Sequence, residues 1–337
     1  MCVTQYSPSN RFLIRKDERL KKYCVRPSPD VIGVKANMNK QPLVSVIMPV
    51  YNGSRFVAKA VESILTQTYQ HFEFIIIDDA STDNTFEILR TFHRKDKRIR
   101  LYGNPKHLGV SLTVKAAIKK VRGRYIARMD SDDIAYPMRL EKQVAYLESH
   151  PGTVAVGAQC RIINKNGKTL GFKRFPLTHE EIYRYIFTFI PVQQPTLTIA
   201  RHRLPRHFHY YIDGMNTAEE VELLFKLFLY GKVENLPDVL LKYRLHTNNT
   251  SLIHSKDTFR QTLQARIMAI TRYGYRPTAM GILTTVMETL LVLLLPETLL
   301  RELFFYLRGM KRPAIKLPDF SFPPAWSKLK QYALSLR

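Results

Sequence analysis

Three carboxylates stand almost side by side in the middle of the chain, at Asp130, Asp132 and Asp133, with Ser131 between the first two. Like charges at this spacing repel and raise one another's pKa, so the cluster is favourable mainly where a divalent cation or several backbone N–H groups compensate it. Carboxylate oxygens are ligands that suit Mg²⁺ or Mn²⁺. The pattern indicates a metal site, and the alternative is an Asp- and Ser-rich turn that caps the next helix.

These carboxylates follow one of several short apolar segments. The segments at residues 44–50, 72–77, 99–102 and 125–129 are each typical of a buried strand, and a helical pattern follows each of them. This alternation predicts a parallel sheet with right-handed crossovers and helices on both faces. A second acidic pair, Asp78 and Asp79, follows the second strand. Because ligands bind beyond the carboxyl ends of such strands, we predict one nucleotide and metal site there.

Length and charge restrict the possible functions. The 337 residues, 45% of them apolar, can bury a substantial core, and a net charge of +24 favours an anionic partner. Three widely spaced cysteines and the lack of an apolar signal segment predict a cytoplasmic location. Neither G-x-G-x-x-G nor G-x-x-x-x-G-K-[ST] occurs, which argues against a dinucleotide cofactor and against a P-loop ATPase.

Several motifs occur together in one order. They are Pro49-Val50-Tyr51-Asn52, Asp78-Asp79-Ala80-Ser81-Thr82-Asp83-Asn84-Thr85, Gly123-Arg124-Tyr125-Ile126 and Asp130-Ser131-Asp132-Asp133, followed by Pro137, Arg139 and Leu140. In this combination the chain resembles the family-two inverting glycosyltransferases of bacterial polysaccharide and lipopolysaccharide synthesis, over about residues 42–251. The resemblance implies an α/β glycosyltransferase A fold, with a Rossmann-like, mostly parallel sheet flanked by helices and an apolar helical appendage after it.

The resemblance implies a donor side in the first half of the chain. Asp79 would bind the uracil of a UDP-sugar, and Asp130 would lie near the ribose. Asp132 would be the direct ligand of Mg²⁺ or Mn²⁺, which stabilises the negative charge that the departing UDP develops. The nucleoside pocket would be lined by Pro49, Tyr51 and Asn52.

An acceptor side is implied in the second half. Residues 192–196 resemble the segment before the family's acceptor loop, and residues 213–216 resemble the turn after it. Glu220 stands where the family has the Asp that acts as general base and takes the proton of the acceptor hydroxyl, so that attack opposite UDP inverts the configuration. The alternative is that Glu219, Glu220 and Glu222 simply favour the positive N-terminus of a helix.

Three basic residues complete the predicted site. Lys115 stands where the family commonly has Asn, and it either reaches a phosphate or faces solvent. Arg244 and His246 follow in the last recognisable segment, where we predict contacts with the diphosphate or the metal. The alternative for His246 is a structural role.

The tail is basic and apolar. A basic helix is predicted over residues 258–273, and an apolar stretch over residues 280–307 is interrupted by Glu288 and broken by Pro296. Neither uncharged piece reaches the roughly 18 to 20 residues of a spanning helix. We predict helices lying in a membrane interface, and the alternative is a hairpin packed on the domain or forming a homo-oligomer. The flanking basic residues are Arg301, Arg308, Lys311 and Arg312.

The domains are predicted as a basic arm over residues 1–41, a catalytic domain over residues 42–251 and a helical tail over residues 252–337. The leading functional hypothesis is an inverting UDP-sugar transferase at the inner face of the cell membrane, acting on a glycan, glycolipid or lipid-linked acceptor.

Two other functions remain open. A sugar-phosphate nucleotidyltransferase shares the βα architecture but needs a Gly-rich basic loop after the first strand, where this chain has Val50-Tyr51-Asn52-Gly53. A non-enzymatic basic protein could bind nucleic acid or anionic membrane. The sequence carries no nucleic-acid-binding motif, so no nucleic-acid partner is predicted, and such a protein would not require an acidic crevice.

Overall fold

The computed structural model describes residues 41–211, 215, 218–246, 255–296 and 299–300. The strands are β1 Val44–Val50, β2 Phe72–Asp78, β3 Ile99–Gly103, β4 Tyr125–Arg128, β5 Ile134–Ala135, β6 Thr153–Asn164, β7 Thr169–Lys173, β8 Thr198–Ala200 and β9 Lys232–Leu245. The helices are α1 Val57–Leu65, α2 Thr85–Lys95, α3 Val110–Ile118, α4 Arg139–Ser149, α5 His179–Tyr185, α6 Glu219–Leu227, α7 Ser255–Tyr273 and α8 Ala279–Leu294.

The first four strands form the parallel half of the sheet. β1 and β2 are buried almost throughout because nearly all their side chains are apolar. They pair in parallel so that Val50 lies opposite Asp78, and β3 and β4 join them in parallel on either side. The order β3-β2-β1-β4 confirms the predicted parallel arrangement.

The side chains of β1 alternate between two apolar cores, one on each face of the sheet. Val44, Val46 and Met48 belong to the core that α1, α2 and α4 cover. Ile47 belongs to the core that α3, α5, α6 and α7 cover. Helices therefore lie on both faces, as predicted. In α1 the buried apolar positions recur every three or four residues, at Val57, Ala60, Val61 and Ile64.

The later strands extend the sheet with mixed directions. β8 pairs antiparallel with β4 and β6, and β5 pairs antiparallel with β9. The long strand β6 pairs in parallel with β9 and antiparallel with β7. The predicted α/β fold with flanking helices is confirmed, and these additional strands make the sheet mixed.

Two helices follow the sheet. α7 confirms the basic helix predicted over residues 258–273, and α8 confirms a helix in the first part of the apolar stretch. Residues 301–307 and the basic residues predicted to flank them lie outside the described residues. Within the described ranges, none of the helices has the length and apolar character needed to cross a membrane.

Other predictions also fall outside the described part of the chain. The basic arm lies outside it except for Gln41, and the turn at residues 213–216 lies outside it except for Met215. The boundary between residues 251 and 252 falls in the segment 247–254, which is not described either. The division into three domains therefore stays a prediction.

Gly123 lies where the chain enters β4, packed tightly against β1. A Cβ at this position would lie 2.6 Å from Ser45 N and 2.8 Å from Leu43 O. Because both contacts are backbone atoms, we expect Gly123→Ala to lower the free energy of unfolding by about 1–3 kcal/mol, measured by urea denaturation. Gly152→Ala is the control, since nothing lies within 4 Å of its Cβ. An equal loss in the two variants would contradict the steric explanation.

Candidate functional site

Four loops lie side by side at the carboxyl edge of the parallel strands. Asp79 N donates to Val50 O at 2.8 Å, and Asn104 N donates to Asp78 O at 2.8 Å. β4 ends beside them because it pairs in parallel with β1. The loops comprise residues 51–54, 79–83, 104–109 and 129–133, so the two acidic clusters leave the sheet at one edge, as predicted.

The Asp79 carboxylate is buried and contacts the loop after β3. Its Oδ1 accepts a hydrogen bond from Asn104 Nδ2 at 2.6 Å, and its Oδ2 accepts one from Gly109 N at 2.8 Å. His107 Nδ1 lies 2.9 Å from the same Oδ2. The carboxylate thus fixes the shape of this loop, a structural role that the sequence did not predict. Its contact with a nucleobase stays a prediction.

An aromatic pair lies next to Asp79. Tyr51 stacks on His107 with ring centroids 3.9 Å apart, and the Tyr51 side chain is exposed. Asn52 has a φ of 47°, a left-handed conformation that Asn tolerates, and its Oδ1 accepts a hydrogen bond from Thr82 N at 2.8 Å. Pro49 is half-buried near the end of β1. The three predicted pocket residues thus lie at the end of β1 or just after it, and their contact with a nucleoside stays a prediction. His107 was missed, because a single histidine in a loop carries no motif.

The acidic cluster is compact. Asp130, Asp132 and Asp133 offer carboxylate oxygens within 4.8 Å of one another. Asp132 Oδ2 lies 2.8 Å from His246 Nε2, so the two predicted metal ligands adjoin. Asp133 Oδ1 accepts a hydrogen bond from Arg244 N at 2.8 Å, and its buried Oδ2 has no hydrogen-bond partner among the described residues. Burial and the charges of Asp132 and Asp130 raise the pKa of Asp133 well above its usual range.

This set of side chains fits a hard divalent cation. Three carboxylates and one imidazole supply the oxygen and nitrogen ligands that Mg²⁺ or Mn²⁺ accept. The buried, unpartnered oxygen of Asp133 carries a cost that a bound cation would relieve. The alternative of a simple capping turn does not account for this oxygen.

Arg128 belongs to the site and was not predicted. It is buried at the end of β4, and its Nη2 lies 2.9 Å from Asp130 Oδ1. The guanidinium of Arg139, also buried, donates to the carbonyl oxygen of Arg128 at 2.6 Å. Burial raises the pKa of Asp130, and the charge of Arg128 opposes this rise. The available signal was an arginine at the end of an otherwise apolar strand.

Glu219 and Glu220 begin α6. Gln194 Nε2 donates to Glu219 Oε1 at 3.4 Å. Burial raises the pKa of Glu220, and the charge of Asp130 adds to this rise while Lys173 opposes it. Glu220 thus interacts electrostatically with the acidic cluster, and its role as a base stays a prediction.

Of the other two predicted basic residues, one contacts the acidic cluster and the other lies in α3. Arg244 Nε donates to the backbone oxygen of Asp132 at 2.6 Å, and its guanidinium lies 4.6 Å from the ring centroid of Phe56. Lys115 lies in α3, near Lys226, whose pKa is lowered by burial and by the charge of Lys115. The structure thus joins Arg244 to the acidic cluster, and a phosphate contact of Lys115 stays a prediction.

Sequence comparison finds glycosyltransferase relatives of this chain. The family model described as glycosyl transferase family 2 matches residues 45–207. An uncharacterized glycosyltransferase of Haemophilus influenzae is 33% identical over 228 residues, which cover 65% of this chain and 71% of the relative. The O-antigen biosynthesis glycosyltransferase WbnJ of Escherichia coli is 33% identical over 215 residues, which cover 62% of this chain and 82% of the relative.

Solved structures share the fold. S. aureus TarS 1-349 in complex with UDP-GlcNAc aligns with a TM-score of 0.56 and 20% identity, over 68% of this chain and 66% of that chain. The mannosyltransferase PcManGT from Pyrobaculum calidifontis, in complex with GDP-Man and Mn²⁺, aligns with a TM-score of 0.52 and 16% identity, over 88% of this chain and 86% of that chain. These likenesses concern the fold alone, and they confirm the predicted glycosyltransferase A fold.

Proposed function

Because this chain belongs to glycosyl transferase family 2, we propose that it transfers a sugar from a UDP-sugar to an acceptor hydroxyl with inversion of configuration. One observation carries the proposal. The acidic cluster and the aromatic pair beside Asp79 lie at one edge of the sheet, and Glu220 of α6 interacts electrostatically with Asp130 of that cluster. A nucleotide, a cation and an acceptor hydroxyl could therefore meet there.

The donor side would hold the nucleoside. The exposed stack of Tyr51 on His107 offers an aromatic surface for a planar base, beside the buried Asp79 carboxylate. The complex of TarS with UDP-GlcNAc supports UDP as the nucleotide, since that protein shares the fold. Asp130 would lie near the ribose, with Arg128 balancing its charge.

Asp132 and His246 would hold a Mg²⁺ or Mn²⁺ ion, with Asp133 beside them. When bound, the ion supplies a Lewis acid that stabilises the negative charge developing on the diphosphate. Arg244 would position the ligands, because it contacts the backbone oxygen of Asp132 and the carboxylate of Asp133. The Mn²⁺ in the PcManGT complex supports this choice of metal.

Glu220 would act as the general base. As the acceptor oxygen forms its bond to the anomeric carbon, Glu220 takes the hydroxyl proton, and the bond to UDP breaks on the opposite face. The electron pair of that bond leaves with UDP, so the configuration inverts. Burial and the nearby Asp130 raise the pKa of Glu220, which makes its carboxylate a stronger base near neutral pH.

The acceptor would be a hydroxyl of a glycolipid, lipid-linked saccharide or polysaccharide, at the inner face of the cell membrane. The likeness to the O-antigen biosynthesis glycosyltransferase WbnJ supports an envelope polysaccharide. A net charge of +24 supports a location of the protein next to anionic lipid.

A donor screen tests the proposal without knowledge of the acceptor. The purified chain is incubated with UDP-sugars or GDP-mannose, with Mn²⁺ or with a chelator, and nucleoside diphosphate release is measured. We expect slow Mn²⁺-dependent hydrolysis of at least one UDP-sugar. Hydrolysis of GDP-mannose alone would overturn the choice of UDP. Pyrophosphate release from UTP and a sugar phosphate would favour a nucleotidyltransferase, and a lack of both activities would favour a non-enzymatic protein.

A further inference from the structure

A surface helix of a water-soluble protein usually buries its apolar side and exposes its polar side. Helix α8 does the reverse. The side that packs against the protein carries small or polar residues, and the opposite side is exposed and apolar throughout. The inward positions are Gly281, Thr284, Thr285, Glu288, Thr289 and Val292. The outward positions are Met280, Ile282, Leu283, Val286, Met287, Leu290, Leu291, Leu293 and Leu294.

Specific contacts maintain this orientation. Arg266 of α7 lies 2.6 Å from Glu288 Oε2 and donates to Thr285 Oγ1 at 3.1 Å, so the polar stripe of α8 faces α7. At Gly281 an added Cβ would lie 2.8 Å from the Cβ of Phe187, so the glycine permits close approach to the protein. The polar side is therefore occupied, and the apolar side is left to another partner.

We propose that the outward face of α8 docks into the acyl-chain region of an anionic lipid bilayer. A contiguous exposed surface of nine large apolar side chains is typical of an interaction site. At about 1.5 Å per residue its 16 residues measure about 24 Å, less than the roughly 30 Å of a hydrocarbon core, so the helix lies in the plane of the interface.

Charge favours an anionic bilayer. Residues 255–296 contain five basic and two acidic side chains. Both acidic side chains are paired within the protein, Asp257 with Arg260 and Glu288 with Arg266. Arg272, near the end of α7, and Arg276, between α7 and α8, are both exposed. The tail thus presents uncompensated positive charge near an apolar helix face, the combination that attracts acidic headgroups.

The width of the apolar face favours lipid over a second copy of the chain. At about 100° per residue, the nine outward side chains cover about half of the circumference of α8. A helix that packs against protein buries a stripe of roughly 100°. A partner helix would therefore leave many of these side chains in water, whereas a bilayer surrounds the whole face.

The docked helix is connected to the proposed acceptor side. Tyr273, at the end of α7, donates to Glu222 Oε1 in α6, and Glu222 Oε2 pairs with Lys226 at 2.8 Å. Lys226 Nζ also donates to Tyr210 O at 3.2 Å. The helix that begins with Glu219 and Glu220 is thus tied to α7, so docking would fix how the acceptor side faces the membrane. This last step rests on the proposed function, whereas the docking itself does not.

Vesicle co-sedimentation of the full chain tests the docking surface. The vesicles contain phosphatidylcholine alone or mixed with phosphatidylglycerol, and no donor or acceptor is added. We expect binding that is stronger to the mixed vesicles. The variant Leu283→Glu/Leu290→Glu/Leu294→Glu changes the centre of the outward face, and we expect its partition coefficient to fall at least about tenfold.

The control variant places the same charges on exposed leucines outside α8, as Leu170→Glu/Leu177→Glu/Leu229→Glu. We expect it to bind vesicles like the unmodified chain. Equal binding by the α8 variant, or a lack of binding by the unmodified chain, would overturn the proposal. The proposal would also be overturned if the unmodified chain formed a dimer in size-exclusion chromatography, the α8 variant were monomeric, and the unmodified chain did not bind vesicles. Donor hydrolysis is measured separately, so failure of docking and failure of the proposed chemistry are distinguishable.

Discussion

Asp132→Ala is expected to remove almost all transfer activity while leaving the fold intact. The Asp132 side chain is partly exposed and contacts His246 rather than the apolar core, so its removal should not change the unfolding temperature. Without this carboxylate the proposed metal site loses a ligand. Stabilisation of the leaving group by a metal is worth several kcal/mol, so we expect turnover to fall by about 10³-fold. The measurements are UDP-sugar hydrolysis and calorimetric UDP binding with and without Mn²⁺.

Two other aspartates serve as comparisons for Asp132. Asp238→Ala removes a surface carboxylate that pairs with Lys142, and its activity should stay at the level of the unmodified protein. Asp133→Ala removes the buried carboxylate that accepts a hydrogen bond from Arg244 N, so it should also lower activity. Full activity and unchanged metal-dependent UDP binding in Asp132→Ala would remove this residue from the metal site.

The parallel half of the fold could be predicted because its signals are local. β1 and β2 are short, nearly continuous apolar runs, and the helix between them repeats apolar residues every three or four positions. The loops at the strand ends then follow from parallel pairing, which is why the two acidic clusters were expected at one edge. The pairing of β6 with β9 could not be predicted, because it joins segments about eighty residues apart whose register depends on tertiary packing.

Several parts of the site depend on contacts that no local pattern encodes. The pairing of Arg128 with Asp130 and the stack of Tyr51 on His107 need the folded backbone. The direction of α8 is a different case. Its apolar content was evident, and the stripe of Gly281, Thr285 and Glu288 was present in the sequence. Only the contact of that stripe with Arg266 establishes that the apolar side faces outward.

Glu220→Gln is expected to retain UDP-sugar binding and to lose most of the transfer activity. The amide keeps the size of the side chain but cannot take a proton, and general base catalysis contributes about 10²–10⁴-fold. Glu219→Gln is the matched control, since it removes the neighbouring carboxylate, which accepts a hydrogen bond from Gln194. We expect a much smaller loss there. Both variants are measured by UDP-sugar hydrolysis and by UDP affinity.

The pH dependence of activity distinguishes a role of Glu220 as the general base from a role that only stabilises the helix. Burial, with the charge of Asp130 adding to it, raises the pKa of Glu220 to about 7. A base must be deprotonated to act, so activity of the unmodified protein should rise with pH through this range and fall below it. In Glu220→Gln the remaining activity should lose this dependence, because the titrating carboxylate is gone. If Glu220→Gln kept near-normal activity and the same pH profile while Glu219→Gln lost both, the base would be Glu219.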